Sequence, residues 1–339
     1  MSVPALTVLV VGPAGHGVTG TALAQETELR AIAPVHLVRR PAVPDVAELR
    51  AALGAAPVGP VLVHVTDRLF GTTPEQAADA VVALAEVRPL VVTLHDLPQA
   101  SDGPRNALRR ATAYRRMAEA AAAVVVSSAH EQRLLAACGA AVPAVVVPLP
   151  VPDLRSAPAA DPATPFGSVA VLGYLYPGKG HEAVLAALDA LPAGVGLTAW
   201  GRPSDGHEDL VGTLTEQARA LGRPCTVTGF VPDAELPGLL RSAVLPVAPH
   251  AHLSASGSIN SWIGAGRRPL VPRSDYAAEL DERAPGCVLV YDDLPTALAR
   301  AWHEPASTWL PAGRAGGPTG AETAALLLPV LAGAGGRAP

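Results

Sequence analysis

The sequence predicts an α/β protein of two doubly wound units, each a parallel sheet covered by helices on both faces. Three observations carry this. Unbroken Val/Ile/Leu runs alternate with Ala/Leu-rich stretches of helical length along almost the whole chain, as buried parallel strands joined by crossover helices require. A Pro/Ala/Asp stretch, PLPVPDLRSAPAADPATPFG (148–167), interrupts the alternation near the middle. The 339 residues suffice for two cores, at roughly 100–200 residues per domain.

The strand ALTVLVVG (5–12) opens the first unit, with a helix near 19–32. Strand 35–39, helix 45–54, strand 61–66, helix 74–87 and strand 90–95 continue it. Helix 104–121, strand 123–127, helix 129–138 and strand 144–148 complete residues 1–150. Residues 151–167 read as the linker, because proline neither donates to a sheet nor continues a helix. The second unit, 168–310, runs through strand 168–173, helix 180–190, strand 195–200, helix 208–221 and strand 225–229. Helix 233–241, strand 243–247, helix 257–265 and strands 269–271 and 287–291 follow. The tail 311–339 carries one more helix, 319–333, kinked at Pro329.

Apolar residues make up 49% and charged residues 16% of the chain, which excludes wholesale disorder. A net charge of −5, with 12 Arg against 12 acids in residues 1–150, lacks the basic face a nucleic-acid binder needs. No apolar run reaches the roughly 18 residues of a membrane helix, and the N-terminus has no signal-peptide pattern. Cys138, Cys225 and Cys287 are far apart and read as buried free thiols of a reducing cytoplasm. No CxxC, HExxH or His/Cys cluster points to a metal.

Of 25 basic residues 24 are Arg, and the one Lys is Lys179. A chain that uses Arg by default places its single ammonium where a planar fork does not serve. Lys179 lies in Gly173-Tyr174-Leu175-Tyr176-Pro177-Gly178-Lys179-Gly180-His181, between a strand and a helix. Such a turn presents backbone N–H groups and a cation to an anion; the alternative is an exposed Pro-Gly turn. It is not a P-loop, since Gly180 stands where Ser or Thr is needed.

Ligands of doubly wound sheets bind at the carboxyl ends of the strands. His250-Ala251-His252-Leu253-Ser254-Ala255-Ser256-Gly257-Ser258 there offers hydroxyl and N–H donors, with a plain N-cap as the alternative. Arg267 and Arg268 read as a solvated pair, with anion contact second. In the first unit His95, Asp96 and Asp102 cluster after one strand, and His64 and Asp67 end its neighbour. His95 is expected to donate to a ligand oxygen while Asp96 sets its tautomer. Gly15-His16-Gly17-Val18-Thr19-Gly20 matches GxGxxG, but Arg39 and Arg40 stand where the ribose-binding acid belongs. That keeps an NADP-dependent oxidoreductase open as an alternative. Helix 104–121, with Arg105, Arg109, Arg110, Arg115 and Arg116 opposite Leu108, Ala111, Met117 and Ala118, reads as a solvated face. Peripheral contact with the inner face of a membrane is the second reading.

GYLYPGKGHEAVLAAL, TAWGRP (198–203) and VTGFVPDAELPGLLRSAVLPVAP (227–249) resemble the donor half of retaining GT-B glycosyltransferases, the family of sucrose, glycogen and phosphatidylinositol-mannoside synthases. HDLPQ and VVVSSAHEQRLL (124–135) resemble the acceptor half. The resemblance implies two Rossmann-like domains facing a central cleft, with the terminal helix returning to the first. It implies glycosyl transfer from a nucleotide-diphosphate sugar, UDP or GDP, without a further cofactor or metal, to a small-molecule, saccharide or lipid-linked acceptor. Lys179 is then the lysine on the donor diphosphate, with Gly178 and Gly180 shaping its turn and Tyr174 where many members have Arg. His95 contacts the transferred sugar, and Gly15 and Gly17 belong to the loop closing near the diphosphate. Gly229, Phe230 and Val231 lie near the base. His16, His64, Asp67, Asp96 and Asp102 line the acceptor side. Many members carry two glutamates eight positions apart; Leu253 and Ser261 occupy those places, and Ser256, Gly257 and Ser258 are the expected replacements. A glycosyltransferase-like binding protein without catalysis therefore stays open beside the enzyme.

Overall fold

A computed structural model describes residues 5–42, 45–156, 168–314 and 316–335. It divides into one unit of residues 1–150 and 318–339 and a second of residues 151–317.

In the first unit, β1 (Leu6–Val11), β2 (Val35–Arg40), β3 (Val61–Val65), β4 (Leu90–Leu94), β5 (Ala123–Val126) and β6 (Ala144–Val146) form one parallel sheet. Its order is β2-β1-β3-β4-β5-β6. Every residue of β1, β3 and β4 is buried, as expected of unbroken aliphatic strands covered on both faces. The connections contain α1 (Gly17–Arg30), α2 (Val46–Ala55), α3 (Asp67–Phe70), α4 (Pro74–Ala85), α5 (Pro104–Ala120) and α6 (Ala129–Ala137). Chain order reverses between β1 and β3, so the loops after these two strands diverge and leave a crevice.

In the second unit the strands are β7 (Ser168–Leu172), β8 (Gly196–Trp200), β9 (Cys225–Val227), β10 (Leu245–Val247), β11 (Leu270–Pro272) and β12 (Leu289–Tyr291). They lie in the order β12-β11-β10-β7-β8-β9, which places the reversal between β7 and β10. The helices are α7 (His181–Ala187), α8 (Asp209–Ala220), α9 (Leu236–Ser242), α10 (Gly257–Gly264), α11 (Asp275–Arg283) and α12 (Leu294–His303). Neither α11 nor α12 is expected from the apolar pattern. Each is started instead by a side-chain cap, Ser274 accepting from the Ala277 N–H and Asp293 from the Thr296 N–H.

The last helix, α13 (Gly320–Gly335), packs on the first unit. Ala324, Leu327 and Leu331 are buried in one cluster with Leu6, Val8, Val10 and Leu29. Burying each leucine stabilises by roughly 1.5–3 kcal/mol. The helix continues through Pro329, which costs it one backbone hydrogen bond.

Several sequence expectations change here. Residues 151–156 belong to the second unit: the Leu154 N–H donates to Gly264 O at 3.1 Å, and the Arg155 guanidinium to Arg314 O at 2.6 Å. The rest of the expected linker, 157–167, lies outside the described residues. Residues 311–317, read as the start of the tail, also group with the second unit. Only Cys287 is buried; Cys138 and Cys225 are half-buried. Arg267 is no solvated residue. It is 1% exposed, donates to the carbonyls of Ala243, Val244 and Thr308, and lies 4.1 Å from the Trp309 ring centroid.

Candidate functional site

Two loops meet at the switch point of the second sheet, one after β7 and one after β10. The Ala251 N–H donates to Gly178 O at 2.9 Å and ties them together. Gly180 has φ +93°, and a Cβ there would stand 2.3 Å from Pro249 O, so only glycine permits the approach. Lys179 is carried inward by this geometry. It is 4% exposed, which removes the alternative of an exposed Pro-Gly turn. Its Nζ lies 2.7 Å from His250 Nε2, 3.3 Å from Ser258 Oγ and 5.9 Å from the Tyr176 ring centroid. Gly173 makes room for it, since a Cβ there would sit 3.0 Å from Nζ.

Among the described residues no carboxylate pairs with Lys179. Burial alone pulls its pKa from 10.5 down to about 7. The imidazoles around it are kept neutral: His181 falls to about 4 and His250 well below its usual range, both through burial and then the lysine charge. Ser256 caps α10, its Oγ accepting from the Ile259 N–H at 3.3 Å and lying 3.1 Å from Ser258 Oγ. A Cβ on Gly257 would meet nothing within 4 Å, so the first turn of α10 is open. The arrangement is a neutral, hydroxyl-lined recess holding one cationic group, suited to an anion.

The flanking residues fall as follows. Tyr174 stacks on the Arg202 guanidinium, 5.1 Å from the ring centroid. Gly178 takes φ +88° and Gly229 φ +75°. Phe230 is 66% exposed, an apolar face free for a planar ring, whereas Val231 packs on the Trp200 and Trp262 cluster. Leu253 is buried in the core, and Ser261 Oγ donates to Gly257 O in its own helix.

In the first unit His64 Nδ1 and His95 Nε2 are 2.9 Å apart, and His64 Nε2 is 2.7 Å from Gln25 Oε1. Burial pushes His95 from 6.5 to about 4 and His64 well below its usual range. Both rings are therefore neutral at pH 7. The Tyr114 hydroxyl donates to His95 O at 2.7 Å and fixes the backbone. Asp96 holds φ +51°, a conformation rare for a non-glycine residue. Among the described residues it makes no hydrogen bond to the His95 ring, and its charge acts on that ring by favouring the protonated form against burial.

Asp67 and Asp102, expected on the acceptor side, are both ion-paired. Arg110 Nε donates to Asp67 at 2.9 Å and Arg110 Nη1 to Asp102 at 2.6 Å, clamping the loops after β3 and β4 to α5. Arg109 pairs with Glu75 and Arg116 with Asp79. The basic face of helix 104–121 is thus largely neutralised by acids of this unit, and Leu108, placed on its apolar face, is 71% exposed.

His16 caps α1, Nδ1 accepting from the Val18 N–H at 3.2 Å. Among the glycines near β1 it is Gly12 that its neighbours require, with φ +100° and a would-be Cβ 2.5 Å from Leu69 Cδ2. A Cβ on Gly15, Gly17 or Gly20 meets nothing within 4 Å. Gly20 therefore lacks the close helix–strand packing that a dinucleotide fingerprint demands of its third glycine. Arg39 Nη1 donates to Val10 O and Arg40 O, and Arg40 Nη1 to Arg39 O.

Gln25 and Arg110 are the residues with placed roles that sequence reasoning missed. Gln25 leaves no sequence signal, since one polar residue on a helix face is ordinary. Arg110 is hidden among the other arginines of α5.

Among the described residues no three His, Cys, Asp or Glu side chains converge to hold a metal ion, and no helix is long and apolar enough to cross a membrane. Neither a protein-family model nor a curated protein sequence matches the chain. Solved structures do. The Anabaena protein HepE in complex with UDP and glucose superposes with a TM-score of 0.72 at 17% identity, over 97% of this chain and 95% of that one. Sucrose-phosphate synthase from Thermosynechococcus elongatus gives 0.66 at 16%, over 97% and 95%. An alpha-glucosyltransferase in complex with UDP-glucose and DNA gives 0.62 at 12%, over 97% and 95%. At these identities the likeness establishes a shared architecture, the two-domain α/β GT-B fold.

Proposed function

We propose that this chain is a glycosyltransferase that moves a sugar from a nucleotide-diphosphate sugar to an acceptor with retention of configuration. The observation that carries the reading is Lys179, a buried ammonium group with no carboxylate partner among the described residues, set beside the open first turn of a helix at a sheet switch point. A buried cation without an internal counter-ion costs stability unless a ligand supplies the charge. A diphosphate supplies it. HepE structures with UDP and with UDP-glucose support a uridine donor within the UDP-or-GDP expectation.

The chemistry follows from where charge develops. As the glycosidic bond to the diphosphate breaks, negative charge grows on the leaving oxygen, and Lys179 and the N–H groups of α10 stabilise it. The departing phosphate then takes the acceptor proton on the same face of the sugar, so no protein nucleophile is needed. Lys179 supplies the counter-charge a divalent ion would otherwise provide, and transfer is expected to survive chelation. His95 contacts the sugar, Phe230 stacks on the base, and Ser256 and Ser258 replace the missing glutamates with hydroxyl donors.

The test is a calorimetric titration with UDP, GDP and their glucose and mannose conjugates, followed by turnover assays on the conjugates that bind. Binding of NADPH in place of these would support the oxidoreductase and overturn the reading. A second reading, a nucleotide-sugar-binding protein without transfer, is favoured by Leu253 and Ser261 standing where carboxylates are expected. Tight donor binding with neither transfer nor donor hydrolysis would establish it.

A further inference from the structure

The chain Gln25–His64–His95 has one hydrogen-bond polarity. Gln25 Oε1 only accepts, so His64 Nε2 must carry a hydrogen to make the 2.7 Å contact. Burial keeps His64 neutral, so its Nδ1 bears a lone pair. The partner atom 2.9 Å away, His95 Nε2, must then be the donor. Neutral His95 is left with an unprotonated Nδ1.

The surroundings do not compete for either ring. A small cavity beside them is lined by Thr93 and Ser127, whose buried hydroxyls make no hydrogen bond to the imidazoles. His16 and Asp96 are the charged or titratable neighbours of His95, and among the described residues neither bonds its Nδ1. The ring centroids lie 5.1 Å apart with 21° between the planes, the disposition of two imidazoles joined by a nitrogen–nitrogen hydrogen bond.

We propose that Gln25 and His64 are positioning residues that hold His95 in its Nε2–H tautomer, so that His95 meets a ligand as an acceptor of a hydroxyl hydrogen. This reverses the donor role expected from the sequence. It selects ligands that bring a hydroxyl to His95 over those that bring an ether or carbonyl oxygen. The consequence for turnover rests on the glycosyltransferase reading; the tautomer itself does not.

The experiment uses the full chain labelled with 15N-histidine at pH 7, with the His64 and His95 signals assigned by their loss in His64→Gln and His95→Gln. Long-range 15N–1H correlation is expected to show both rings in the Nε2–H form. A wild-type His95 in the Nδ1–H form, or charged, overturns the proposal without any further variant. Gln25→Lys then replaces the acceptor by a donor. It is expected to invert both rings to Nδ1–H and to lower kcat about tenfold with little change in donor KM. A folded Gln25→Lys protein that keeps His95 in the Nε2–H form also overturns it. Absence of turnover in wild type, with the tautomers as expected, removes the glycosyltransferase reading and leaves the positioning chain standing.

Discussion

Replacing Lys179 by Met should make the ligand-free protein more stable while disabling it. Met keeps the unbranched shape and removes the charge. The unfolded chain holds the lysine proton up to pH 10.5 and the folded chain only to about 7. Between those values the unfolded state binds more protons, so this group makes stability rise with pH. At about 1.4 kcal/mol per pH unit, burial of Lys179 costs about 5 kcal/mol at pH 6 and about 2 kcal/mol at pH 9. Met leaves His250 Nε2 without its partner, a loss of about 1–3 kcal/mol. The variant should therefore gain about 2–4 kcal/mol at pH 6, and the gain should vanish near pH 9. All four tryptophans, Trp200, Trp262, Trp302 and Trp309, lie in the second unit, so urea unfolding followed by their fluorescence reads the relevant transition. Equal stability of the two proteins at pH 6, with no dependence of the difference on pH, would refute the claim that Lys179 is buried without a counter-ion.

The same lysine should reveal itself kinetically: Lys179→Ala is expected to lose about 10²-fold or more in kcat/KM, and Lys179→Arg should also be impaired because a planar fork cannot occupy the same point. Donor binding at pH 8 should take up close to one proton, about 0.9 by the lowered pKa, measurable by calorimetry in buffers of different ionisation enthalpy. His95 binds its proton at 6.5 when unfolded and about 4 when folded, so it withdraws about 3 kcal/mol of stability as pH falls across that window; unfolding of His95→Gln at pH 7 and pH 4.5 checks this. Arg110→Met should destabilise the first unit by about 3 kcal/mol by leaving Asp67 buried and unpaired, read by circular dichroism in urea. Gly180→Ala, with a would-be Cβ 2.3 Å from Pro249 O, should cost more than about 2 kcal/mol and weaken nucleotide binding with it.

The sequence alone determined the layered architecture, because burial on both faces of a parallel strand must be written as an unbroken aliphatic run such as Leu6–Val11 or Leu90–Leu94. It also singled out Lys179, through composition, and the strand-end histidines, through position. Elements whose start is written in capping residues rather than apolar period, α11 and α12, escaped that pattern although Ser274 and Asp293 were in view. Tertiary structure decided what each polar residue does, since that depends on partners far apart in the chain. Lys179 and His250 are 71 residues apart, yet they meet because β7 and β10 are neighbours in the sheet. Gln25, His64 and His95 likewise come from a helix, a strand and the residue just past the neighbouring strand. Local pattern records which face of an element is buried; the hydrogen-bond polarity of a buried site exists only once those elements are packed.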